Sequence, residues 1–328
     1  MISFRTEIPP LQSGVEIAHQ HHMLCIGSCF AEHIGSRLEQ LKFPTLVNPF
    51  GIIYNPVSIV RVLEKLLSGT DYTEKDLFEN LGLWHSYDHH GRFSHPDQST
   101  AFQQINQALN DARQFLKNTN HLLLTLGTAN VFVDKQTDTV VANCHKMPGQ
   151  TFDRRRLTVE EVATPLISIF RRLKEEWPDL EVIATVSPVR HLRDGLLENQ
   201  RSKATLLLGL EVACKALPFV HYFPSYEIVL DDLRDYRFYE KDLSHPNSMA
   251  IDYIWDYFEN AFFTDKTKAL CQRISQLTTA ATHRPFHPAS EAHQTFLKKQ
   301  LSAIEKLQKE YPSLDLTKEK EAFSEQLL

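Results

Sequence analysis

The stretch Met23-Leu24-Cys25-Ile26-Gly27-Ser28-Cys29-Phe30-Ala31 decides the reading of the chain, because four apolar residues run into a glycine and a helix-capping serine. A short apolar run ended by a turn residue is the pattern of a strand buried on both faces, and helical period from about 30 to 41 marks a strand-to-helix turn. The unit recurs. A run at 45–47 precedes a helix expected over 56–67, where Pro56 suits the first turn. Leu122-Leu123-Leu124-Thr125-Leu126 ends at Gly127. Strands are expected at 181–186 and 220–223, and helices over 159–177 and 202–217. Five strands separated by helices imply a mainly parallel, flavodoxin-like sheet inside a three-layer α/β/α sandwich.

Composition narrows the function classes. The 328 residues carry 35 Lys and Arg against 41 Asp and Glu, a net charge of −6, so a basic face for nucleic acid is not expected. The 42% hydrophobic and 23% charged content are ordinary for a globular protein. Five cysteines without a CxxC pair suggest neither a disulfide framework nor a zinc knuckle, and they fit a reducing compartment. The first twenty residues carry no apolar h-region, and no apolar run approaches the roughly 18 residues of a membrane span. The expectation is a soluble, cytoplasmic protein without a membrane partner.

Two stretches, 83–94 and 131–144, interrupt the rhythm, and the second reads as a β-hairpin with strands at 131–133 and 139–141. Such insertions often shape the mouth of a site. Beyond about residue 262 the composition shifts, so 1–262 is expected to be the main domain and 263–328 an accessory helical tail. Within it 282–288 reads as a linker, and Ser290 caps a helix to about Tyr311 with a stripe at Leu297, Leu301, Ile304 and Leu307. That stripe is expected to pack back on the chain or to pair two subunits.

Ligands of an open parallel sheet bind beyond the carboxyl ends of its strands. Gly27-Ser28 there offers a hydroxyl at a helix start, either a nucleophile or a plain N-cap. Asp242 and His245, three residues apart, can share one turn so that the carboxylate fixes the imidazole tautomer, although DxxH beside a proline also suits an ordinary turn. Arg190 and His191, just past a strand end, are candidates for substrate contact. Cys29 or Cys144 could offer a thiol, but a cysteine at a helix start more often packs inward. His19, His21, His22, His85, His89 and His90 lack an HExxH or paired cysteines, so they read as solvated loop residues and no metal is expected. Arg154-Arg155-Arg156 reads as a surface charge run or a grip for an anion.

Together these segments resemble a known family. Gly27-Ser28-Cys29-Phe30-Ala31 matches the name motif of the GSCFA family, and Asn143-Cys144-His145-Lys146, Thr185-Val186-Ser187-Pro188-Val189-Arg190-His191, Glu198-Asn199, Ser202-Lys203-Ala204 and Asp235-Tyr236-Arg237-Phe238-Tyr239 are similar to its other segments. The order of motifs also resembles the SGNH (GDSL-like) hydrolases. The resemblance implies that Ser28 attacks an acyl carbon, His245 acts as base and then acid, and Asp242 orients His245. It further implies an oxyanion hole of the Ser28 N–H, the Gly51 N–H and the Asn130 amide, with Asn48 and Asn143 as substitutes for Asn130. Gly127-x-x-Asn130 is one residue longer than the Gly-x-Asn of those hydrolases. The expected activity is ester hydrolysis without a cofactor, on a small acylated metabolite or sugar. Acyl transfer by the same residues, or ligand binding without turnover, are the alternatives.

Overall fold

The computed structural model describes residues 5–328. Its centre is a sheet of five parallel strands, β1 (His22–Gly27), β2 (Thr45–Val47), β5 (Thr119–Leu126), β9 (Glu181–Val186) and β10 (Val220–Tyr222), in the order β10-β9-β5-β1-β2. Cys25 pairs with Val47 on one side and Leu123 on the other, and Leu124 pairs with Ala184. The chain therefore starts one strand in from the edge, moves outward to β2, and returns past β1 to the central strand β5. This reversal leaves a crevice between β1 and β5 at their carboxyl ends.

The strands point alternate residues into two cores, as a period of two requires. Leu24, Ile26, Leu122, Leu124, Val182 and Ala184 pack on one face with α2 (Pro56–Ser68), α3 (Gln98–Leu116), α4 (Val159–Glu176) and α5 (Leu196–Ala216). On the other face Met23, Cys25, Leu123 and Ile183 pack with α1 (Cys29–Gln40) and α7 (Ser248–Phe262). The single turn α6 (Ser225–Glu227), continued as a π-helical turn Ile228–Leu233, completes that layer. The expected three-layer sandwich is what the chain forms.

Local chemistry explains the boundaries. Ser28 caps α1, its hydroxyl accepting from the Phe30 N–H at 3.3 Å. Asn55 caps α2 with Pro56 in its first turn, and left-handed Gly69 ends it. Thr158 and Glu161 form a capping box on α4. Helix α5 begins at Leu196, earlier than the expected residue 202, because its first turn exposes Leu196 and Leu197 and carries no apolar stripe.

The expected interruptions are small sheets. Phe78–Asn80 (β3) and Leu83–His85 (β4) form an antiparallel pair. The expected hairpin forms from β6 (Asn130–Asp134) and β7 (Thr139–Val141), and a third strand, β8 (Phe152–Arg156), pairs with the free edge of β6. The arginine run lies on β8, where Arg155 pairs with Glu161 and Arg156 with Glu198.

Residues after α7 form α8 (Asp265–Thr282), α9 (Glu291–Glu310) and α10 (Thr317–Ser324) around a third core. The stripe at Leu297, Ile304 and Leu307 is buried there, against Leu270, Ile274 and Phe323 of the same chain. This unit is fastened to the sandwich by an ion pair of Lys42 with Glu319 (2.8 Å) and a bond from Thr267 to the Ile17 carbonyl (3.0 Å). No helix among the described residues is long and apolar enough to cross a membrane.

Candidate active site

The turn after β1 is tightly constrained. Gly27 adopts φ 148°, and a Cβ there would lie 2.2 Å from the Thr125 carbonyl oxygen of β5, so only glycine fits. Its N–H donates to Asn48 Oδ1 (2.9 Å), and its carbonyl accepts from the Ile53 N–H (3.1 Å). Ser28, 4% exposed, follows with its N–H donating to the Thr125 carbonyl at 3.2 Å. The chain thus delivers a nearly buried hydroxyl to the crevice mouth and starts a helix from it.

The other half of the arrangement is open. Asp242 Oδ1 accepts from the backbone N–H groups of Ser244 (2.9 Å) and His245 (3.0 Å), while His245 Nδ1–H donates to Asp242 Oδ2 at 2.5 Å. These bonds, those from the His245 and Ser244 backbone above all, hold the Asp242 carboxyl far below its ordinary range. With Nδ1 bound to the carboxylate, Nε2 is the nitrogen left to accept a proton. The side chains of His245 and Asp242 remain 43% and 50% exposed.

The two halves lie on one rim. The Arg190 N–H, just past the end of β9, donates to the Ser244 carbonyl (3.2 Å), which fastens the Asp242–His245 turn to the carboxyl end of the sheet. His245 also interacts electrostatically with His33 of α1 and with His191. Ser28 Oγ and His245 Nε2 are not hydrogen-bonded to one another.

The remaining expected residues separate by role. The Gly51 N–H closes a turn on the Asn48 carbonyl (2.7 Å), and φ 79° with His90 packed against it admits only glycine. Asn130 Nδ2 donates to Asp194 Oδ2 (2.8 Å). Arg190 binds Gln200 (3.0 Å) and stacks on Tyr226. His191 faces Gly127 and lines a cavity of about 270 Å³ together with Tyr54, Asn130, Arg154 and Arg193. Burial first, then the charge of Lys203, pushes the His191 imidazole down to about 4, so it is neutral at pH 7. A larger hollow of about 760 Å³ between α1, α8 and α10 includes neither Ser28 nor His245.

The thiols are poor nucleophiles here. Burial raises the pKa of both Cys29 and Cys144, so neither favours a thiolate. Two of the histidines expected in solvent are instead buried: His85 binds Ser94 (2.6 Å) and His89 binds Ser86 (2.9 Å). Their rings pack on aromatic side chains, His89 on Phe50 and Tyr72 and His85 on Phe78, which is why polarity alone misjudged them.

One residue expected only as a substitute gains weight here, and one escaped the sequence reading of the site. Asn48, left-handed at φ 43°, keeps its Nδ2 buried and without a partner beside Gly27. Lys203 of α5 is fully buried, and its Nζ donates to the Gly127 and Ser187 carbonyls, both at 2.6 Å. It thereby ties the ends of β5 and β9, and burial lowers its pKa to about 7. A signal existed, since Asn199, Lys203, Leu206 and Leu210 fall on one face of α5 and all are buried.

No curated protein is similar enough to be matched. The GSCFA domain protein, C-terminal domain, matches residues 274–328. The GSCFA family matches residues 22–258, from the first strand through the Asp242–His245 turn and into α7, and the chain belongs to that family.

Proposed function

We propose that this protein is a serine hydrolase of the SGNH type that cleaves esters through an acyl-enzyme. The observation that carries the reading is the Asp242–His245 pair. Its imidazole is held by Nδ1 with Nε2 left open, on a turn bonded just past the end of β9, on the same carboxyl-end side of the sheet where Ser28 follows β1.

In the first half-reaction Ser28 Oγ bonds to the acyl carbon as its proton passes to His245 Nε2. The C–O bond to the alcohol then breaks, and His245 returns the proton to the leaving oxygen. In the second half a water gives its proton to His245 and its oxygen to the acyl carbon. The Ser28–acyl bond breaks, and Ser28 recovers its proton as the acid departs. Asp242, kept ionised, stabilises the imidazolium in both halves.

The tetrahedral intermediates need hydrogen-bond donors for their oxyanion. The N–H groups of Ser28 and Gly51 each hold a backbone partner in the resting site, and Asn130 holds Asp194. Asn48 Nδ2 is the donor beside Gly27 without one, and we assign it to the oxyanion with the turn opening onto it as substrate binds. Five unpaired cysteines suit a cytoplasmic setting.

A fluorophosphonate probe tests the reading: covalent labelling of Ser28, together with acetate release from p-nitrophenyl acetate or an acetylated sugar, is expected. Labelled Ser28 with acetyl transfer to an added carbohydrate, and no free acetate, would make the protein an acyltransferase. An unlabelled Ser28 in folded protein would leave a binding module.

A further inference from the structure

We infer that the cavity at the carboxyl end of β5 receives an ester bearing one negative charge, and that Arg193 is the residue that meets it. This rests on the hydrolase reading for the ester, though not for the anion.

The cavity, about 270 Å³, lies between the small β6-β7-β8 sheet and the turn after β9. That is below the roughly 300–1,000 Å³ of drug-sized sites and suits one small group. Val131, Phe132 and Ala142 supply apolar wall, and Tyr54 and Asn130 supply polar groups. Tyr54 and His191 both pack against Gly127, which places the cavity next to the β5 end that Ser28 touches through Thr125.

The charges around it do not cancel. Arg154 is ion-paired with Asp194 and lies over the Phe132 ring at 5.4 Å. Asp194 is further occupied by Asn130. His191 is neutral. Arg193 is exposed at the rim and, among the described residues, has neither an ion-pair nor a hydrogen-bond partner, whereas Arg154, Arg155 and Arg156 nearby each have a carboxylate. The lining therefore carries one net positive charge.

Arg193 also acts inward. Burial raises the Tyr54 phenol and the Cys144 thiol, and the Arg193 charge opposes the rise at both. An uncompensated guanidinium on a concave, partly apolar wall attracts and orients a carboxylate or phosphate. The charge could sit on the acyl part, as in a half-ester of a dicarboxylic acid, or on the alcohol, as in an acetylated sugar acid.

Two substrate pairs separate these sources: p-nitrophenyl acetate against the p-nitrophenyl half-ester of succinate, and acetylated glucose against acetylated glucuronate. The charged member of one pair is expected to have a kcat/KM about tenfold higher at low salt. Arg193→Gln should erase that preference through KM, and salt should weaken it. The pair that responds identifies the charged part. An unchanged preference in Arg193→Gln, or none in the wild type, overturns the inference. Calorimetric titration of Ser28→Ala with succinate and with glucuronate gives a readout independent of turnover. Binding of either anion that Arg193→Gln abolishes supports the cavity assignment even if no ester is cleaved, which would instead overturn the hydrolase reading. Binding of neither overturns the inference alone.

Discussion

The two halves of the proposed catalytic pair are built in opposite ways. Ser28 stands on a turn where Gly27 is wedged against Thr125, Asn48 grips the Gly27 N–H, and the hydroxyl is nearly closed off from water. Asp242 and His245 stand on an exposed turn whose bonds are mostly to one another, with the Arg190–Ser244 bond fastening it to the sheet. Substitutions in the first half should therefore disturb folding as well as chemistry, and those in the second chemistry alone. The absence of a direct Ser28–His245 bond also falls on the open side, where apo catalytic contacts are often long and tighten with substrate.

The largest expected effect is on Ser28→Ala, which should lower ester hydrolysis by about 10⁴-fold or more, with the loss of an N-cap costing roughly 1 kcal/mol in urea unfolding. Retained turnover in this variant would remove the nucleophile from the scheme. Asp242→Asn should cost about 10³- to 10⁴-fold in kcat while the unfolding midpoint barely moves, since the turn is exposed. An equal loss of stability would erase the contrast between the halves.

Asn48→Asp sharpens the comparison from inside the buried half. It keeps an acceptor for the Gly27 N–H but deletes the unpartnered donor, so kcat should fall about 10²- to 10³-fold. A variant that folds and retains full kcat would return the oxyanion to the backbone donors. Gly27→Ala tests the fold beneath Ser28: the clash with Thr125 and the positive φ should cost roughly 3 kcal/mol, read by chemical denaturation.

The smallest effect concerns acid. Burial pushes His89 down to about 3, below the ordinary 6.5 it regains on unfolding. The unfolded state thus binds a proton that the folded state refuses, and the stability present above pH 6.5 is lost as pH falls toward about 3. His89→Gln should make the thermal midpoint less sensitive to acid between pH 7 and about 4, and an unchanged slope would show that His89 is not buried neutral.

The inner strands were legible because parallel strands buried on both faces read as apolar runs, and the expected 181–186 matches the structure residue for residue, as does 45–47 on the half-buried edge. Helix α3 was not noticed. Its buried face is Ala101, Ile105, Leu109, Ala112 and Leu116, two of them alanines, set among Gln and Asn residues that mask the period. Strand β8 was hidden in the same way, since Asp153 to Arg156 are all exposed and the strand is held by pairing with β6 rather than by apolar burial. The turn chemistry around Ser28 and the DxxH spacing could be read locally. Asn48 was expected only as a substitute for Asn130 and Lys203 was given no role, because what each does depends on backbone atoms that belong to Gly27 in one case and to Gly127 and Ser187 in the other.

Lys203 has a consequence for chemical labelling. Its amine is sealed under two strand ends, so a reagent such as an isothiocyanate can reach it only when α5 lifts from the sheet. The rate of its modification would then serve as a clock for the opening of that layer, running on a residue that surface lysines cannot imitate.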